Sequence, residues 1–307
     1  MRGRDLLSIA DLTADELEAV LSTASRLKRD GYPRALERQT LALLFEKPSL
    51  RTRVSFDVAM GKLGGQTVYL SQSEVGLGQR EPVADVARVL SRYVQGIAAR
   101  TYAQQTLVDL AEHASVPVIN ALSDDEHPCQ ALADLLTIRE RNGSLRGVRI
   151  TFVGDGNNVA ASLAQASALA GAHFTIASPP GYRLPEETLL SAEEFARASG
   201  GSFRSLESPQ EAVRGADVVY TDVWTSMGQE DAYEQRLRAF AGYQVTPDLM
   251  ALAQPEAIFM HDLPAHRGEE TVEDVIEGPQ SVVFDQAENR LHVQAAVLLL
   301  LLGEGSG

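Results

Sequence analysis

The segment at residues 49–53 combines side chains that suit a phosphate group. An apolar run of strand length, residues 40–45, precedes it, and a helical pattern follows it. A strand, a tight turn and a helix start are therefore predicted, and the N–H groups and positive dipole end of a helix start favour an anion. The Ser49 and Thr52 hydroxyls and the Arg51 guanidinium add donors. The segment is interpreted either as a phosphate site or as a serine N-cap with two solvated arginines.

A second polar cluster, His127-Pro128-Cys129-Gln130, opens another predicted helix. Proline fits the first helical turn. His127 and Gln130 lie three residues apart, so both can face a ligand at the helix start. The alternative is a capping histidine beside a surface glutamine. Cys129 is interpreted as a small buried residue, because adjacency to a histidine does not by itself make a nucleophile.

Two more clusters end predicted strands. Asp222, which precedes Ser226-Met227-Gly228, can bind an ammonium group or cap a turn. In His261-Asp262-Leu263-Pro264, the Leu263–Pro264 bond is a candidate for a cis peptide, since these are largely confined to proline and often mark functional turns. His261, Asp262 and the later His266 do not form the helical HExxH pattern, and a cysteine-rich frame is missing. No metal is therefore expected.

A glycine-containing loop, residues 154–158, follows a predicted strand and precedes a helix, as a dinucleotide-binding fingerprint does. The third glycine of the fingerprint is replaced by Val159, and the next strand ends at Ala177-Ser178 without an acidic residue for a ribose. Asn157 and Asn158 are therefore interpreted as ligand donors or helix caps. A nicotinamide-dependent oxidoreductase is disfavoured.

These clusters must be positioned by the elements between them. Apolar strand-like runs alternate with helical patterns along the chain, which predicts α/β architecture with parallel sheets flanked by helices. Ligands of such sheets bind at the carboxyl ends of strands, where the polar clusters fall, so an active site in a cleft between two domains is expected. Strands are predicted at Leu41–Phe45, Gln66–Leu70, Gly96–Arg100, Val116–Asn120, Val148–Val153, His173–Ala177, Asp217–Asp222, Ala257–His261 and Ser281–Phe284.

Length and composition set the domain count and the compartment. A chain of 307 residues that is 44% hydrophobic favours two domains. The boundary is predicted at residues 142–144, giving domains 1–142 and 143–288, with a C-terminal helix over 289–303 packing back on the first domain. A net charge of −15 argues against nucleic acid. The single cysteine indicates a reducing, cytoplasmic location, and the longest apolar run, Ala295–Leu302, is too short to span a membrane.

Together the motifs resemble the carbamoyltransferase family over roughly Leu6 to Leu300. The motifs at residues 49–53, 127–130 and 261–264 are similar to the part of the family that binds carbamoyl phosphate. The Ser226-Met227-Gly228 loop resembles the members that use ornithine rather than aspartate. The resemblance implies two doubly wound α/β domains, a homotrimer, and transfer of a carbamoyl group to the ornithine amine without a cofactor or metal, giving citrulline and phosphate.

The resemblance also implies roles for individual residues. Catalysis is assigned to Arg51, Arg100, His127 and Asp262. The ornithine-binding residues are Asn158, Asp222, Ser226 and Met227. Carbamoyl phosphate is expected to contact Ser49, Leu50 through its backbone, Arg51, Thr52, Arg100, His127, Gln130, Arg290 and the backbone at Asp262-Leu263.

Three positions depart from the family pattern. Asp262 replaces the usual cysteine, and it could bind the amine as a cation and raise its pKa, orient or deprotonate the amine, or rotate away. Leu50 replaces a threonine. Gly76 replaces a glutamine that reaches a neighbouring subunit, and Gln79 or Arg80 is a candidate substitute. The alternative functions are a carbamoyltransferase for another amine, such as putrescine or a modified ornithine, and a non-catalytic paralogue that binds carbamoyl phosphate.

Overall fold

The structure, a computed structural model, describes residues 1–225 and 230–303. The chain forms two compact units. Unit 1 comprises Met1–Leu136 together with the chain from Glu288 onward, and unit 2 comprises Thr137–Ala287.

Unit 1 contains a four-stranded parallel sheet with the order β2-β1-β3-β4. Burial of the apolar run in β1, with five of its six residues buried, places this strand in the core. The first helix, α1, begins with the capping box of Thr13 and Glu16. The strands are β1 Thr40–Phe45, β2 Gln66–Ser71, β3 Gly96–Arg100 and β4 Val118–Leu122, and the helices are a short 3-10 helix at Ile9–Asp11, α1 Ala14–Asp30, α2 Leu50–Lys62, α3 Gln72–Val75, α4 Val83–Leu90, α5 Gln104–His113 and α6 Pro128–Asn142.

Unit 2 contains a five-stranded parallel sheet with the order β7-β6-β5-β8-β9. Phe152 of β5 and Tyr220 of β8 stack in its core, with ring centroids 5.3 Å apart. The strands are β5 Arg149–Val153, β6 His173–Ala177, β7 Ser202–Leu206, β8 Val218–Tyr220 and β9 Ile258–Met260, and the helices are α7 Asn158–Leu169, α8 Glu186–Ser199, α9 Pro209–Val213, a 3-10 helix at Glu230–Ala232, α10 Tyr233–Ala239, α11 Pro247–Met250 and α12 Glu273–Ile276. The last helix, α13 Val283–Leu302, begins in unit 2 and belongs to unit 1 from Glu288 onward.

Each strand order contains one point where the winding direction reverses. In unit 1 this point lies between β1 and β3, and in unit 2 it lies between β5 and β8. The loops after these two strands diverge to opposite faces of a doubly wound sheet, so a ligand can enter between them. The predicted class, α/β with doubly wound parallel sheets flanked by helices, is confirmed. The predicted cleft and the boundary at residues 142–144 stay predictions; the division between the units falls earlier, inside α6.

Several predicted elements differ from the structure. The strand predicted at Ser281–Phe284 is wrong: α13 begins at Val283, and Ser281 forms only an isolated bridge with Phe259. A short β-branched apolar run does not distinguish a buried strand from a helix start. Strand β7 was not predicted, because this polar edge strand has only intermediate or exposed residues. Strand β4 lies two residues later than predicted, at Val118–Leu122. The cis Leu263–Pro264 bond is confirmed.

Among the helices that the structure describes, none combines the length and apolar character that a membrane crossing requires.

Gly156, in the loop after β5, has no room for a side chain. A Cβ atom there would lie 2.4 Å from the backbone nitrogen of Leu184. We expect Gly156→Ala to lower the free energy of unfolding by about 2 kcal/mol, because rigid backbone would have to move. Gly61 in α2 has nothing within 4 Å of the same position, and Gly61→Ala should raise stability by about 0.5 kcal/mol. Urea unfolding of both variants tests this, and equal shifts of the same sign would contradict it.

Candidate active site

The loops after β1 and β3 in unit 1 start side by side. Phe45 is the register partner of Arg100, and the Glu46 N–H donates to the Arg100 carbonyl at 2.8 Å. The Glu46 carboxylate in turn accepts from the Tyr102 N–H at 2.8 Å. The pairing of β3 with β4 shifts in register between Ala99 and Arg100, a local irregularity at the end of the strand. The structure thus places Arg100 beside the loop that follows β1 and leads to residues 49–53. This agrees with the expectation that polar residues at the carboxyl ends of neighbouring strands lie close together.

Ser49 is the N-cap of α2. Its hydroxyl accepts from the Thr52 N–H at 3.3 Å. The Leu50 side chain is 75% exposed, so only the backbone of this residue belongs to the helix start. The serine N-cap is therefore confirmed, although Arg51 is half-buried rather than solvated. The cap is compatible with an anion at the same place, because it leaves other first-turn N–H groups available.

Arg290 of α13 ties three helices of unit 1 together. Its guanidinium donates to Gln130 Oε1 at 2.7 Å and to Thr52 Oγ1 at 2.8 Å. The Gln130 amide donates to Asp134 Oδ1 at 2.8 Å, one turn further along α6. Gln130 is 1% exposed, so the alternative of a surface glutamine is wrong. Asp134, which the sequence analysis missed, fixes which end of the Gln130 amide faces the arginine.

His127 lies immediately before α6 and is buried. Burial holds the pKa of His127 well below its usual range, and the positive charges of Arg290, Arg100 and Arg51 lower it further. The imidazole is therefore neutral, with one N–H donor and one acceptor nitrogen. An imidazole donor near three guanidinium groups forms a site for a strongly anionic ligand.

Cys129 is buried within the same motif, as predicted. Burial raises the pKa of the Cys129 thiol to about 12. The reactive form of cysteine is the thiolate, so this residue is not a nucleophile.

The corresponding loops of unit 2 meet after β5 and β8. Asn157 is the N-cap of α7, and its side-chain oxygen accepts from the Val159 and Ala160 N–H groups at 3.1 Å each. Its amide donates to Asp222 Oδ2 at 2.7 Å. Asn157 is therefore both a helix cap and the partner of a buried acid. Asn158 lies next to it, half-buried, at the first residue of α7.

Arg236 links the same two loops and was missed by the sequence analysis. Its guanidinium donates to Asp155 and to the Trp224 carbonyl, and it lies 4.8 Å from the centre of the Tyr182 ring. Arg236 is 8% exposed. Arg236 is one of two arginines in a short polar helix, α10, and nothing in the sequence distinguishes it from Arg238.

Burial raises the pKa of Asp155 to about 6. The attraction of Arg236 works in the opposite direction but is the smaller effect, and the nearby charge of Asp222 adds to the rise. Desolvation of a buried carboxylate can exceed the gain from its ion pair.

Asp262 lies in the loop after β9, next to His261, whose side chain is held by two hydrogen bonds. His261 is fully buried, its Nδ1 accepts from the Leu263 N–H at 2.9 Å, and its Nε2 faces Glu270 Oε1 at 3.1 Å. This pattern assigns the proton to Nε2, which donates to Glu270. Leu263 adopts a left-handed backbone with φ of 60°. Glu270 was not predicted, because its contact with His261 depends on the loop conformation.

Two groups of side chains within the described residues have the composition of a metal site. Asp222, His261 and Asp262 each place one ligand atom within 4.8 Å of the others, and so do His266, Glu269 and Glu270. In the first group, both ring nitrogens of His261 already take part in hydrogen bonds, to the Leu263 N–H and to Glu270. The carboxylates of Asp222 and Asp262 are therefore the ligand atoms that this group has for a cation. Two carboxylates without a histidine lone pair suit an ammonium group better than zinc.

The predicted residues thus fall into two sets. Unit 1 holds Ser49, Leu50, Arg51, Thr52, Arg100, His127, Gln130 and Arg290, and unit 2 holds Asn158, Asp222, Asp262 and Leu263. Ser226 and Met227 lie outside the described residues.

Gly76 ends α3 with a left-handed φ of 63°. A Cβ atom there would lie 2.8 Å from Arg80 Cβ. A glutamine at this position would be strained in this backbone conformation.

Comparison with known proteins supports the division into two binding halves. Residues 4–140 match the family described as aspartate/ornithine carbamoyltransferase, carbamoyl-P binding domain, and residues 146–301 match its Asp/Orn binding domain. Ornithine carbamoyltransferase of Acidothermus cellulolyticus is 56% identical over 99% of this chain and 98% of its own length. A Pyrococcus furiosus relative named "Ornithine carbamoyltransferase, anabolic" is 54% identical over 99% and 98%. The solved ornithine carbamoyltransferase structure from P. furiosus superposes with a TM-score of 0.95, at 53% identity, over 98% of this chain and 97% of that one.

The raised pKa of Asp155 predicts a pH-dependent stability. Between about pH 4 and pH 6 the folded chain holds a proton that the unfolded chain has lost, so the contribution of Asp155 to stability falls as pH rises, by up to about 3 kcal/mol. Asp155→Asn cannot ionise and should lack this contribution. Urea unfolding of both proteins at pH 4.5, 5.5 and 6.5 measures the difference. A difference that stays constant with pH would show that Asp155 has an ordinary pKa.

Proposed function

Because the chain belongs to the aspartate/ornithine carbamoyltransferase family, we propose that it is an enzyme that transfers the carbamoyl group of carbamoyl phosphate to the side-chain amine of L-ornithine, giving L-citrulline and phosphate. The observation that carries this proposal is the near-full-length identity of 56% with a relative that has this activity in its name. The anabolic relative supports a role in arginine biosynthesis, and the same chemistry in reverse would serve arginine catabolism.

Carbamoyl phosphate is proposed to bind to unit 1. Its phosphate would lie at the start of α2, where the Ser49 and Thr52 hydroxyls, the Leu50 backbone and the Arg51 guanidinium supply donors. The hydrogen bond from Arg290 to Thr52 supports this placement, because it holds the buried Arg290 guanidinium beside the first turn of the helix. Two guanidinium groups and a helix dipole can neutralise a leaving phosphate dianion.

The carbamoyl end is proposed to contact Arg100, His127 and Gln130. In the reaction the amine nitrogen attacks the carbamoyl carbon, the carbonyl oxygen gains negative charge, the carbon–oxygen bond to phosphate breaks, and the amine loses a proton. Arg100 and the neutral His127 are donors suited to that oxygen. Burial of Gln130, and its fixed amide, support a role in orienting the carbamoyl group.

L-Ornithine is proposed to bind to unit 2 through Asn158, Asp222, Ser226 and Met227. The buried Asp222, held by Asn157 and by the Val223 N–H at 2.7 Å, supports this, since a fixed carboxylate attracts an ammonium group. Asp262 and the Leu263 backbone are proposed to position the reacting groups.

Asp262 in place of cysteine favours a second candidate, transfer to another amine such as putrescine or a modified ornithine. Asp222 and Asp262 place carboxylate oxygens within 4.8 Å of each other, which gives this chain an extra negative charge towards a cationic substrate. Citrulline formation should be compared with the products from putrescine, N-acetylornithine, lysine and aspartate. Turnover restricted to an amine other than ornithine would replace the proposal.

We further propose a homotrimer in the cytoplasm, as the family resemblance implies. The buried thiol of Cys129 as the only cysteine supports a reducing compartment. Light scattering of the purified protein would measure the mass, and a mass other than three chains or a multiple of three would contradict the trimer.

Arg51→Ala should abolish turnover. Without the guanidinium, less positive charge stabilises the phosphate as it departs. We expect this to lower kcat/KM by roughly 10³-fold or more. Arg53→Ala is the matched control, because the Arg53 guanidinium lies 3.7 Å from the centre of the Tyr69 ring and is exposed. Steady-state citrulline formation measures both. Wild-type turnover by Arg51→Ala would remove the assignment of this site.

Asp262→Cys should keep or raise activity with ornithine. The thiol removes a negative charge that stabilises the ammonium form of the substrate, and only the neutral amine attacks. Asp262→Asn serves as a neutral variant of nearly the same shape. Both should be measured as kcat/KM between pH 6 and pH 10. A large fall in both variants would show that the carboxylate itself takes part in catalysis.

A further inference from the structure

Arg236 is a charged side chain buried among aromatic rings of unit 2. Its guanidinium lies 4.8 Å from the centre of the Tyr182 ring and 5.7 Å from that of Phe240. The Trp224 ring stacks on Phe240, with centroids 5.5 Å apart and an interplanar angle of 14°. Contacts with these two rings, in addition to burial, limit the movement of the guanidinium and of the groups that it binds.

The two groups that accept from Arg236 belong to the two loops that flank the winding reversal. Asp155 lies in the loop after β5, and the Trp224 carbonyl lies in the loop after β8. A second tie joins the same loops, the 2.7 Å hydrogen bond from Asn157 to Asp222. Asn157 lies two residues after Asp155, and Asp222 lies two residues before Trp224. The loop segments that carry Asn157 and Asp222 are therefore fixed at both of these points.

Without the first tie, the Asn157–Asp222 hydrogen bond would remain, and so would the bond from the Thr221 hydroxyl to the Val153 carbonyl at 2.7 Å, where the two loops begin. The parts of the loops beyond these bonds, at Asp155 and Trp224, would lose their link, so the backbone next to Asn157 and Asp222 would be held less firmly. Displacements of about 1 Å in a substrate-holding group are enough to lower activity by roughly 10²-fold. Arg236 itself is buried and its donors are directed at Asp155 and Trp224, so its effect on a substrate passes through these loops.

We propose that Arg236 is a positioning residue for the amine substrate, which fixes Asp222 and Asn158 by clamping the loops after β5 and β8. The inference rests on the proposed function, since it assigns the amine to these loops. The proposal predicts different effects for the two substrates. Loss of the clamp raises the KM for ornithine and leaves the KM for carbamoyl phosphate unchanged.

The chain contains a matched control for this clamp. Arg149 and Asp217 form an ion pair, with Arg149 Nη2 2.8 Å from Asp217 Oδ1. These residues lie at the amino ends of β5 and β8, so Arg149→Gln removes a guanidinium bridge between the same two strands at the opposite edge of the sheet.

The experiment compares Arg236→Gln, Arg236→Lys and Arg149→Gln in steady-state kinetics and in calorimetric titration with L-ornithine. For Arg236→Gln we expect the KM and Kd for ornithine to rise by about tenfold or more, with the KM for carbamoyl phosphate within about twofold of wild type. Arg236→Lys should be intermediate, since an ammonium keeps the charge but lacks the fork that reaches two acceptors. Arg149→Gln should leave all of these constants within about twofold.

The double variant Asp155→Asn with Arg236→Gln separates positioning from folding. It removes both charges, so the thermal stability lost in Arg236→Gln should largely return, while the KM for ornithine stays raised. Recovery of that KM together with stability would overturn the proposal, and so would an unchanged ornithine KM in Arg236→Gln or an equal rise for both substrates. A wild-type protein that neither binds nor carbamoylates ornithine would instead overturn the proposed function, and the clamp with it.

Discussion

The reversal of winding in each parallel sheet is the constraint on which the candidate site depends. Parallel strands all end at one edge, and at the reversal two neighbouring strands send their loops to opposite faces. In unit 1 this places the start of α2 beside Arg100, and in unit 2 it places Asn157 beside Asp222. Helix starts, N-caps and buried side chains then complete sites whose location the strand order has already determined.

The two units place opposite charge at these edges. Unit 1 surrounds a neutral histidine with three guanidinium groups, although the chain as a whole carries a charge of −15. Unit 2 brings the carboxylates of Asp222 and Asp262 together and pairs the nearby Asp155 with the buried Arg236. The first environment favours an anion and the second a cation, as the proposed ligands require. The energetic cost is visible in His127 and Asp155, whose pKa values are shifted towards the neutral form mainly by burial.

Much of the fold could be predicted from the sequence because apolar runs and polar strand ends are local signals. Strand β7 and the segment at 281–284 were exceptions, since an edge strand lacks an apolar run and a β-branched helix start imitates a strand. The site was predicted where residues adjoin a strand end, as for Arg51 or Asp222. Asp134, Arg236 and Glu270 were missed, because each acts through a tertiary hydrogen bond that no spacing encodes. Arg290 was found only through the family resemblance.

The discontinuity of unit 1 along the chain has a consequence for protein synthesis. Unit 2 is a single stretch, Thr137–Ala287, whereas unit 1 also needs the chain from Glu288 onward. Domains fold as units while the ribosome adds residues from the amino end. Thr52 and Gln130 therefore leave the ribosome long before Arg290, their common partner, has been made. A nascent or prematurely terminated chain can contain every residue of unit 2 and still lack the guanidinium that completes the buried network of unit 1.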